Sequence, residues 1–340
     1  MNITIKEIAD IANVSTATVS LVLNNKPGVG QDTRQRILKL AQMLKDERYK
    51  QQALTQIAKG AIRFLKIVKH AQVLNHDHDT FISRYIDGME QEARQNGYKL
   101  EINTFTTSDV REIIPYIKDA DIDGVIILGT EFNSKDFDAF EDVDLPLGFI
   151  DTRFEFKRFD FVDMDNIQGA FQIVRHFVEH KHQEIGFINS PVELRNFEFR
   201  HGGFQQALKY FGLPYKSKFV FSVNSTFDGA YHDMLQLLKK GAELPTALFS
   251  SNDLIAYACI KAMKEMGVKI PEDVSIIGFD DLPMSSMMDP PLTTMRVSQR
   301  QMGQMAIQLL LGRINHTLKA PTMKVNIGGK LVTRASVRML

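Results

Sequence analysis

Short apolar runs alternate with helical stretches of about 10–15 residues from Arg63 towards the end of the chain. Runs such as DGVIILG, LPLGFID and VSIIGFDD are apolar along almost their whole length. A strand of this kind is buried on both faces, which is typical of a parallel sheet covered by helices. The alternation therefore predicts an α/β fold, and it continues long enough for two parallel sheets.

Composition places the chain among ordinary globular proteins. Its 340 residues are 44% hydrophobic and 24% charged, with a net charge of zero and one cysteine. A single cysteine excludes an internal disulfide and suits a reducing compartment. The N-terminus has no apolar signal core, and no apolar run approaches the roughly 18 residues of a membrane helix. We therefore expect a cytoplasmic protein without a membrane partner.

The first sixty residues follow a different pattern, that of three short helices. Thr4 and Glu7 have the spacing of a capping box at the start of the first helix. Asn13 and Val14 form the predicted turn, and Ser15 is a natural N-cap for the second helix. The third helix begins near Asp32. Two helices joined by a tight turn and supported by a third predict a helix-turn-helix unit.

Apolar residues recur at helical spacing in this segment, and its charge is distinctive. The positions predicted to face inward are Ile5, Ile8, Ala9, Ala12, Val19, Val22, Leu23, Ile37, Leu40, Ala41 and Leu44. Residues 1–60 carry nine Lys and Arg against five Asp and Glu, a net charge of +4. A basic segment on a slightly acidic body indicates a polyanionic partner.

The exact amino-acid sequence of this segment points to a more specific class of protein than its periodicity does. TIKEIADIANVSTATVSLVLNN, followed by TRQRIL, closely resembles the N-terminal headpiece of the LacI/GalR family of bacterial transcription repressors. The resemblance implies that the second helix enters the major groove of operator DNA. The headpiece residues that it assigns to the DNA interface are Thr4, Ser15, Thr16, Ala17, Thr18, Ser20, Leu21 and Asn24.

In this assignment Thr16 and Ala17 read base edges, whereas Ser15 and Thr18 lie near phosphates. Leu21 departs from the family, which usually has an arginine at this position. Ala17 and Leu21 cannot hydrogen-bond to a base and can at most contact a thymine methyl group. Phosphate contacts from helix N-termini, Lys and Arg are unaffected by the change.

The linker also departs from the family, which typically has Tyr-x-Pro-Asn and then a short hinge helix. Here the sequence is ERYKQQALTQIAKG, which keeps Tyr49 but lacks the proline and the asparagine. Leu54 or Ile57 is the candidate for the apolar side chain that wedges the minor groove. Each is equally compatible with packing in a continuous linker helix.

The resemblance extends to the end of the chain through VDMDN, EHKHQEIGFI, SSNDLIA, VSIIGFDD, PPLTT and LVTRAS. It implies a core like that of periplasmic sugar-binding proteins, with two doubly wound parallel-sheet lobes. The implied segments are a headpiece at 1–47, a hinge at 48–62 and an effector-binding and dimerisation core at 63–340. Lobe 1 is expected at 63–162 and 293–322, and lobe 2 at 163–292 and 323–340.

The family places a small-molecule effector between the lobes, outside the carboxyl ends of the strands. The positions that match its effector residues are Phe81, Asp151, Arg200, Phe227, Asn252 and Asp280. Asp and Asn accept hydrogen bonds from sugar hydroxyls, and the planar Arg donates to neighbouring oxygens. We therefore expect a sugar-like effector, with a nucleobase as the alternative, and a homodimer on a two-fold operator.

One loop, NHDHD at residues 75–79, suggests a different chemistry. His76 and His78 alternate with Asp77 and Asp79, and His70 precedes them. A zinc site needs three converging ligands, and the loop alone does not provide that set. The other interpretations are a solvated loop and an effector contact through His78 or Asp79. The sequence contains no Walker loop, no GxGxxG after a strand and no GxSxG. We expect no cofactor, no metal and no enzymatic activity; the alternatives are a metal-dependent hydrolase and a sugar-binding module with a degenerate headpiece.

Overall fold

The computed structural model describes residues 4–24, 26–55, 58–118 and 121–340, and for residues 45–55 it describes the backbone alone. The chain divides into two compact units, Met1–Lys59 and Gly60–Leu340. The first unit contains the helices α1 (Ile5–Ala12), α2 (Thr16–Leu23) and α3 (Gln31–Thr55).

Local hydrogen bonds fix the ends of the first two helices as predicted. The hydroxyl of Thr4 accepts from the backbone N–H of Glu7 at 3.3 Å, and the Glu7 carboxylate accepts from the Thr4 N–H at 2.9 Å. Asn13 closes α1 in the left-handed region with φ 50°. Ser15 then caps α2 by accepting from Thr18 N–H at 3.1 Å. The capping box, the turn and the second N-cap are thereby confirmed.

The apolar cluster of the first unit joins all three helices. Its buried members are Ile8, Ala9, Ala12, Val19, Val22, Ile37 and Ala41. Two residues predicted to face inward do not belong to it, because Ile5 is 40% exposed and Leu23 is 43% exposed. Ile5 begins α1 and Leu23 ends α2, and a terminal residue lacks the neighbouring turn that would complete its burial.

Helix α3 extends beyond the end of the predicted headpiece. The predicted headpiece ended at residue 47 and a linker followed at 48–62, but α3 continues to Thr55 and the next strand begins at Gly60. No proline or glycine interrupts residues 31–59, so nothing in the backbone ends the helix earlier. The side chain of Leu54 and the whole of Ile57 lie outside the described residues.

The second unit contains two six-stranded sheets in its described part, with the orders β11-β5-β4-β3-β1-β2 and β12-β10-β9-β8-β6-β7. The strands are β1 (Gly60–Val68), β2 (Tyr98–Thr106), β3 (Gly124–Leu128), β4 (Leu147–Ile150), β5 (Asp160–Met164), β6 (Ile185–Asn189), β7 (Val220–Ser222), β8 (Ala247–Ser250), β9 (Ser275–Asp280), β10 (Thr293–Arg296), β11 (Lys324–Ile327) and β12 (Lys330–Val332). Paired strands are parallel except for β10 and β12, which are antiparallel. The predicted parallel α/β fold with two sheets is confirmed.

Helices surround each sheet and define two lobes. Lobe 1, around the first sheet, contains α4 (Asp79–Gln95), α5 (Ile114–Lys118) and α10 (Gln299–Ile314). Lobe 2, around the second sheet, contains α6 (Asn166–Glu179), α7 (Arg195–Tyr210), α8 (Phe227–Lys239) and α9 (Asp253–Glu265). Within lobe 1, α4 packs against α10.

Both faces of the first sheet are buried. Along β3, Ile126 and Leu128 belong to the apolar cluster that also contains residues of α4 and α10. Val125 and Ile127 belong to a second cluster, which is rich in phenylalanine. Successive side chains of a strand point to opposite faces, so one cluster covers each side. This burial explains why the strands are continuously apolar in the sequence.

The lobe boundaries differ from the predicted ones at the end of the chain. Residues 293–296 were assigned to lobe 1, but as β10 they pair with β9 and β12 in lobe 2. Residues 324–327 were assigned to lobe 2, but as β11 they pair with β5 in lobe 1. Periodicity identifies a strand but not its partner, which here lies far away along the chain.

Candidate ligand site and DNA-binding helix

A cavity of about 30 Å³ lies between the two lobes, beyond the carboxyl ends of their parallel strands. Loops from neighbouring strands meet at this edge, which makes it the usual ligand site of such sheets. The lining residues are Val73, Leu74, His78, Phe81, Ile82, Thr130, Asp151, Met164, Leu194, Asn196, Phe197, Arg200, Asn252 and Asp280. A cavity of this size holds about one or two water molecules, so a larger ligand requires the lobes to move apart.

Five of the six residues assigned to the effector lie in this wall, and Phe227 does not. Phe227 is the first residue of α8, which Thr226 caps, and its ring centre lies 5.7 Å from Nζ of Lys261. The preceding strand, β7, is at the edge of the second sheet. Phe227 therefore lies outside the cavity wall of this structure, and its role as an effector contact stays a prediction.

Asp151 connects the two lobes. It follows β4 with a left-handed φ of 65°, an unusual conformation for a residue other than glycine. Its carboxylate accepts from Tyr85 Oη at 3.0 Å and from the hydroxyl of Thr130, both in lobe 1. Nδ2 of Asn196, from α7 of lobe 2, donates to the same carboxylate at 3.0 Å. Burial raises the pKa of Asp151, although these three donors and Arg200 oppose the shift.

Arg200 is 3% exposed, and protein groups surround it. Nε donates to Oδ1 of Asn166 at 2.9 Å, and Nη1 donates to the carbonyl of Ser251 at 2.5 Å. Nη2 contacts the sulfur of Met164 at 2.9 Å and Oδ1 of Asp280 at 3.5 Å. The guanidinium carbon lies 3.8 Å from the ring centre of Phe279. Each guanidinium nitrogen of Arg200 therefore already has at least one protein partner at the cavity wall.

Asp280 ends β9 at the cavity, with φ 119° and 4% exposure. A positive φ at a buried aspartate is a strained conformation of the kind that concentrates at functional sites. The contact with Arg200 at 3.5 Å is the one hydrogen bond to its carboxylate within the described chain. Burial raises the pKa of Asp280 well above its ordinary value, against the opposing effect of Arg200.

Asn252 and His78 meet across the cleft. Asn252 caps α9 by accepting from Ile255 N–H at 2.9 Å, and its Nδ2 lies 3.4 Å from Nε2 of His78. The other ring nitrogen of His78 lies 3.4 Å from Oδ1 of Asn75. Burial lowers the pKa of His78 to about 4, so the imidazole is neutral at pH 7. A neutral imidazole accepts on one nitrogen and donates from the other, which fits these two neighbours.

The remaining histidine of the NHDHD loop faces solvent. Residues 76–78 form a single 3-10 turn, and the side chain of His76 is 88% exposed. His78 is buried in the cavity wall. The two imidazoles therefore do not converge on one ligand, as a shared metal site would require.

Sequence reasoning missed the residue that holds this loop in place. Glu131 follows β3 and is buried, and its carboxylate accepts four backbone N–H groups at 2.9–3.1 Å. Those donors belong to Lys69, His70, Val73 and Leu74, in the loop after β1. Burial alone would raise the pKa of Glu131, but the backbone donors outweigh it and lower the pKa. The sequence signal was an acid three residues after an apolar strand, which is common in solvent-exposed loops too.

In the first unit, the predicted DNA-reading residues lie at the start of α2. Thr16 and Ala17 are exposed, whereas Leu21 is half-buried. The hydroxyls of Ser15 and Thr18 are 2.8 Å apart and participate in the N-cap. At the other end of α2, Nδ2 of Asn24 donates to the Ser20 carbonyl at 2.9 Å. Thr4 belongs to the capping box of α1.

Together, a helix-turn-helix unit and a two-lobed core with an interlobe cavity define the class of ligand-responsive DNA-binding proteins. Residues 4–45 match the family of bacterial regulatory proteins of the lacI type, and residues 174–337 match the periplasmic binding protein-like domain. The chain is 30% identical to the HTH-type transcriptional regulator MalR of Clostridium butyricum over 98% of both chains. It belongs to the LacI family of bacterial regulatory proteins.

A second relative is also a transcriptional regulator, and solved structures share the fold. The HTH-type transcriptional repressor PurR of Haemophilus influenzae (strain PittEE) is 28% identical over 99% of both chains. The fold is shared with the transcriptional regulator CelR in complex with cellobiose, at TM-score 0.73, 22% identity and coverage of 98% and 99%. It is also shared with the Lac repressor dimer bound to operator and the anti-inducer ONPF, at TM-score 0.71, 22% identity and coverage of 99% and 100%. Among the described helices, none has the length and apolar character to span a membrane.

Proposed function

We propose that this protein is a transcriptional repressor whose affinity for operator DNA is controlled by a small-molecule effector in the interlobe cavity. A sugar or sugar derivative is the proposed effector, since the cavity combines carboxylate, amide and aromatic side chains. CelR, which shares the fold, binds cellobiose. The protein acts in the cytoplasm as a regulator and not as an enzyme.

The observation that carries this proposal is that both lobes build the cavity and bond across it. Asn196 of lobe 2 donates to Asp151 of lobe 1, and His78 of lobe 1 contacts Asn252 of lobe 2. A ligand that enters must separate these pairs or replace them. Ligand binding is thereby linked to the opening and closing of the lobes, which is the differential interaction that a two-state switch requires.

The DNA-binding form is proposed to be a homodimer. Helix α2 presents its exposed residues Thr16 and Ala17 to the major groove. A single short helix reads few base pairs, and two headpieces on a two-fold operator double that number. In the solved structure cited above, the Lac repressor is a dimer on its operator.

A gel-shift measurement with the DNA upstream of the protein's own gene tests the proposal. We expect specific binding that falls steeply with salt. If the dimer neutralises about six phosphates, the slope of log K against log[salt] is near −5. A screen of sugars, phosphosugars and nucleosides by thermal shift then identifies compounds that change this binding. Ligand binding without any DNA binding would instead support a sugar-binding module.

A further inference from the structure

An ion pair joins the two lobes beside the cavity. Nη2 of Arg195, at the start of α7 in lobe 2, donates to Oε2 of Glu155 at 2.5 Å, and Glu155 lies in the loop between β4 and β5 of lobe 1. Nε of Arg195 also donates to the carbonyl of Arg153 in that loop, at 3.4 Å. Within the described residues of the core, the other ion pairs each lie inside a single lobe.

Neighbouring groups hold this pair in one geometry. Nη1 of Arg195 donates to Oε2 of Glu198 at 2.6 Å, and Nη2 of Arg153 donates to Oε1 of Glu155 at 3.4 Å. The guanidinium carbons of Arg195 and Arg153 lie 4.4 and 4.6 Å from the ring centre of Phe199, which is on α7. Phe199 thus contacts one arginine from each lobe. Ion pairs in such a network contribute more than isolated surface pairs, which are worth little.

The ion pair is ionised and partly shielded from water. The side chain of Arg195 is 27% exposed and that of Glu155 is 41% exposed. Burial opposes the ionisation of Glu155, but its own backbone N–H and Arg195 outweigh burial and lower its pKa. The remaining exposure makes the pair sensitive to salt. By contrast, the bond from Ser225 Oγ to the carbonyl of Gln72 at 2.8 Å, which also joins the lobes, connects neutral groups.

We propose that Arg195 and Glu155 are positioning residues that form an electrostatic latch, which holds α7 of lobe 2 against lobe 1 and keeps the cleft closed. Helix α7 also carries Asn196, Phe197 and Arg200 of the cavity wall, so the latch fixes where these side chains lie relative to lobe 1. Its strength sets the population of the open form, which is the form that admits a ligand larger than the cavity. The latch concerns the motion of the lobes and does not depend on which compound is the effector.

A cysteine in the cavity wall measures how often the cleft opens. Ile82 lines the cavity and is 4% exposed, so the thiol of Ile82→Cys reacts with iodoacetamide only when the lobes part. When closing is faster than the reaction, the rate is proportional to the open fraction. Iodoacetamide is uncharged, so removing a charge from the latch does not change its approach. The native Cys259 is fully buried in α9 outside the cavity wall, and it reports unfolding of lobe 2 in the same sample.

The latch variants are made in the full-length Ile82→Cys protein, and mass spectrometry measures the rate at each thiol. Arg195→Gln and Glu155→Gln should each raise the rate at position 82 by about three- to tenfold and leave the rate at Cys259 unchanged. The double variant should react at about the rate of the faster single variant, because both changes break the same pair. Arg195→Lys keeps a charge for Glu155 and should restore part of the protection. Arg175→Gln, which breaks an ion pair within lobe 2, is the matched control and should change neither rate.

Salt provides a test that needs no change at the latch. Raising sodium chloride to about 1 M should increase the rate at position 82 when the latch is intact and have a smaller effect in Arg195→Gln. Equal acceleration at position 82 and at Cys259 would show that Arg195 only stabilises the fold, which overturns the proposal. Unchanged rates at position 82 in both single variants, or fully additive effects in the double variant, overturn it as well.

Discussion

The buried carboxylates of the core differ in how completely they are hydrogen-bonded within the protein. Glu131 accepts four backbone N–H groups from one loop. Asp253 accepts one backbone N–H and two hydroxyls near the loop after β9. Asp280 accepts a single long bond. Fully bonded carboxylates hold loops in position, whereas an underbonded one at a cavity is available to a ligand.

Glu131→Gln should lower the free energy of unfolding of the core at pH 7. The amide keeps one acceptor oxygen, but its NH₂ group faces two backbone N–H donors that lose their partner. Two buried unsatisfied donors cost about 2–4 kcal/mol. Urea unfolding followed by circular dichroism measures the change. Glu141→Gln, at an exposed position, is the matched control and should remain within about 0.5 kcal/mol of the wild type.

The difference in the free energy of unfolding between the wild type and Glu131→Gln should also depend on pH. The pKa of Glu131 is lowered in the folded state, so its ionised form stabilises the fold above the unfolded pKa of about 4.3. That stabilisation is lost as the pH falls through the lower folded value. The stability difference between wild type and Glu131→Gln should thus be full at pH 6–7 and shrink below about pH 4.3. A difference that grows on acidification would contradict this role.

Arg200→Ala should destabilise the core as well as weaken ligand binding. It removes the guanidinium beside Asp280 and leaves the carbonyl of Ser251 and Oδ1 of Asn166 without their donors. Breaking a buried ion pair from one side costs about 3–5 kcal/mol. Denaturant unfolding measures this loss, and Arg200→Lys should not restore it, because an ammonium group cannot reach all these acceptors.

A surface ion pair provides the control for Arg200. Nε of Arg175 lies 3.6 Å from Oε1 of Glu179 on α6, and both side chains are more than half exposed. Arg175→Ala should change the free energy of unfolding by less than about 0.5 kcal/mol. Equal effects of the two alanine variants would show that the burial of Arg200 has no energetic consequence.

At the scale of elements, two glycines allow α4 and α10 to pack closely. A Cβ atom at Gly88 would lie 2.1 Å from the carbonyl oxygen of Arg300, and one at Gly303 would lie 2.2 Å from that of Tyr85. Both contacts involve backbone, which cannot move without shifting a helix. The close approach holds α4, whose first turn carries Phe81 of the cavity wall, in a fixed position against α10.

Gly303→Ala should therefore destabilise the protein although alanine favours helix. Overpacking costs about 1–3 kcal/mol, and a Cβ atom 2.2 Å from a backbone oxygen places Gly303→Ala near the upper end, above the propensity gain of about 1 kcal/mol. Gly202→Ala on α7 is the matched control, because a Cβ there meets no atom within 4 Å. It should stabilise the protein by about 0.5–1 kcal/mol. Thermal unfolding of both variants checks the signs, and a stabilising Gly303→Ala would contradict the packing argument.

At the scale of the whole molecule, the two units have separate apolar cores. The first is built from seven buried residues of α1, α2 and α3, and the contacts of the chain divide at Lys59. Removing residues 1–59 should therefore leave a folded core that binds its ligand with unchanged affinity and no longer binds operator DNA. Circular dichroism, calorimetry and gel shifts measure these three properties. A truncated protein that does not fold would contradict the independence of the units.

The type and order of many elements can be read from the sequence alone. Apolar runs buried on both faces predicted parallel strands, and Thr4, Asn13 and Ser15 fixed the ends of the first helices through bonds to residues no more than four positions away. Such signals are readable because they are local. The residues of the cavity wall at Asp151, Arg200 and Asp280 came from the resemblance to a family and not from any local pattern.

The folded structure shows which groups meet although they are far apart along the chain. It assigned residues 293–296 to lobe 2 and residues 324–327 to lobe 1, against the prediction. It also brought Asn196 to Asp151 across 45 positions of sequence. Strand pairing and burial depend on partners that are far apart along the chain, and no periodicity records them. The number of donors around a buried carboxylate, which distinguishes Asp280 from Glu131, is therefore a property of the folded chain.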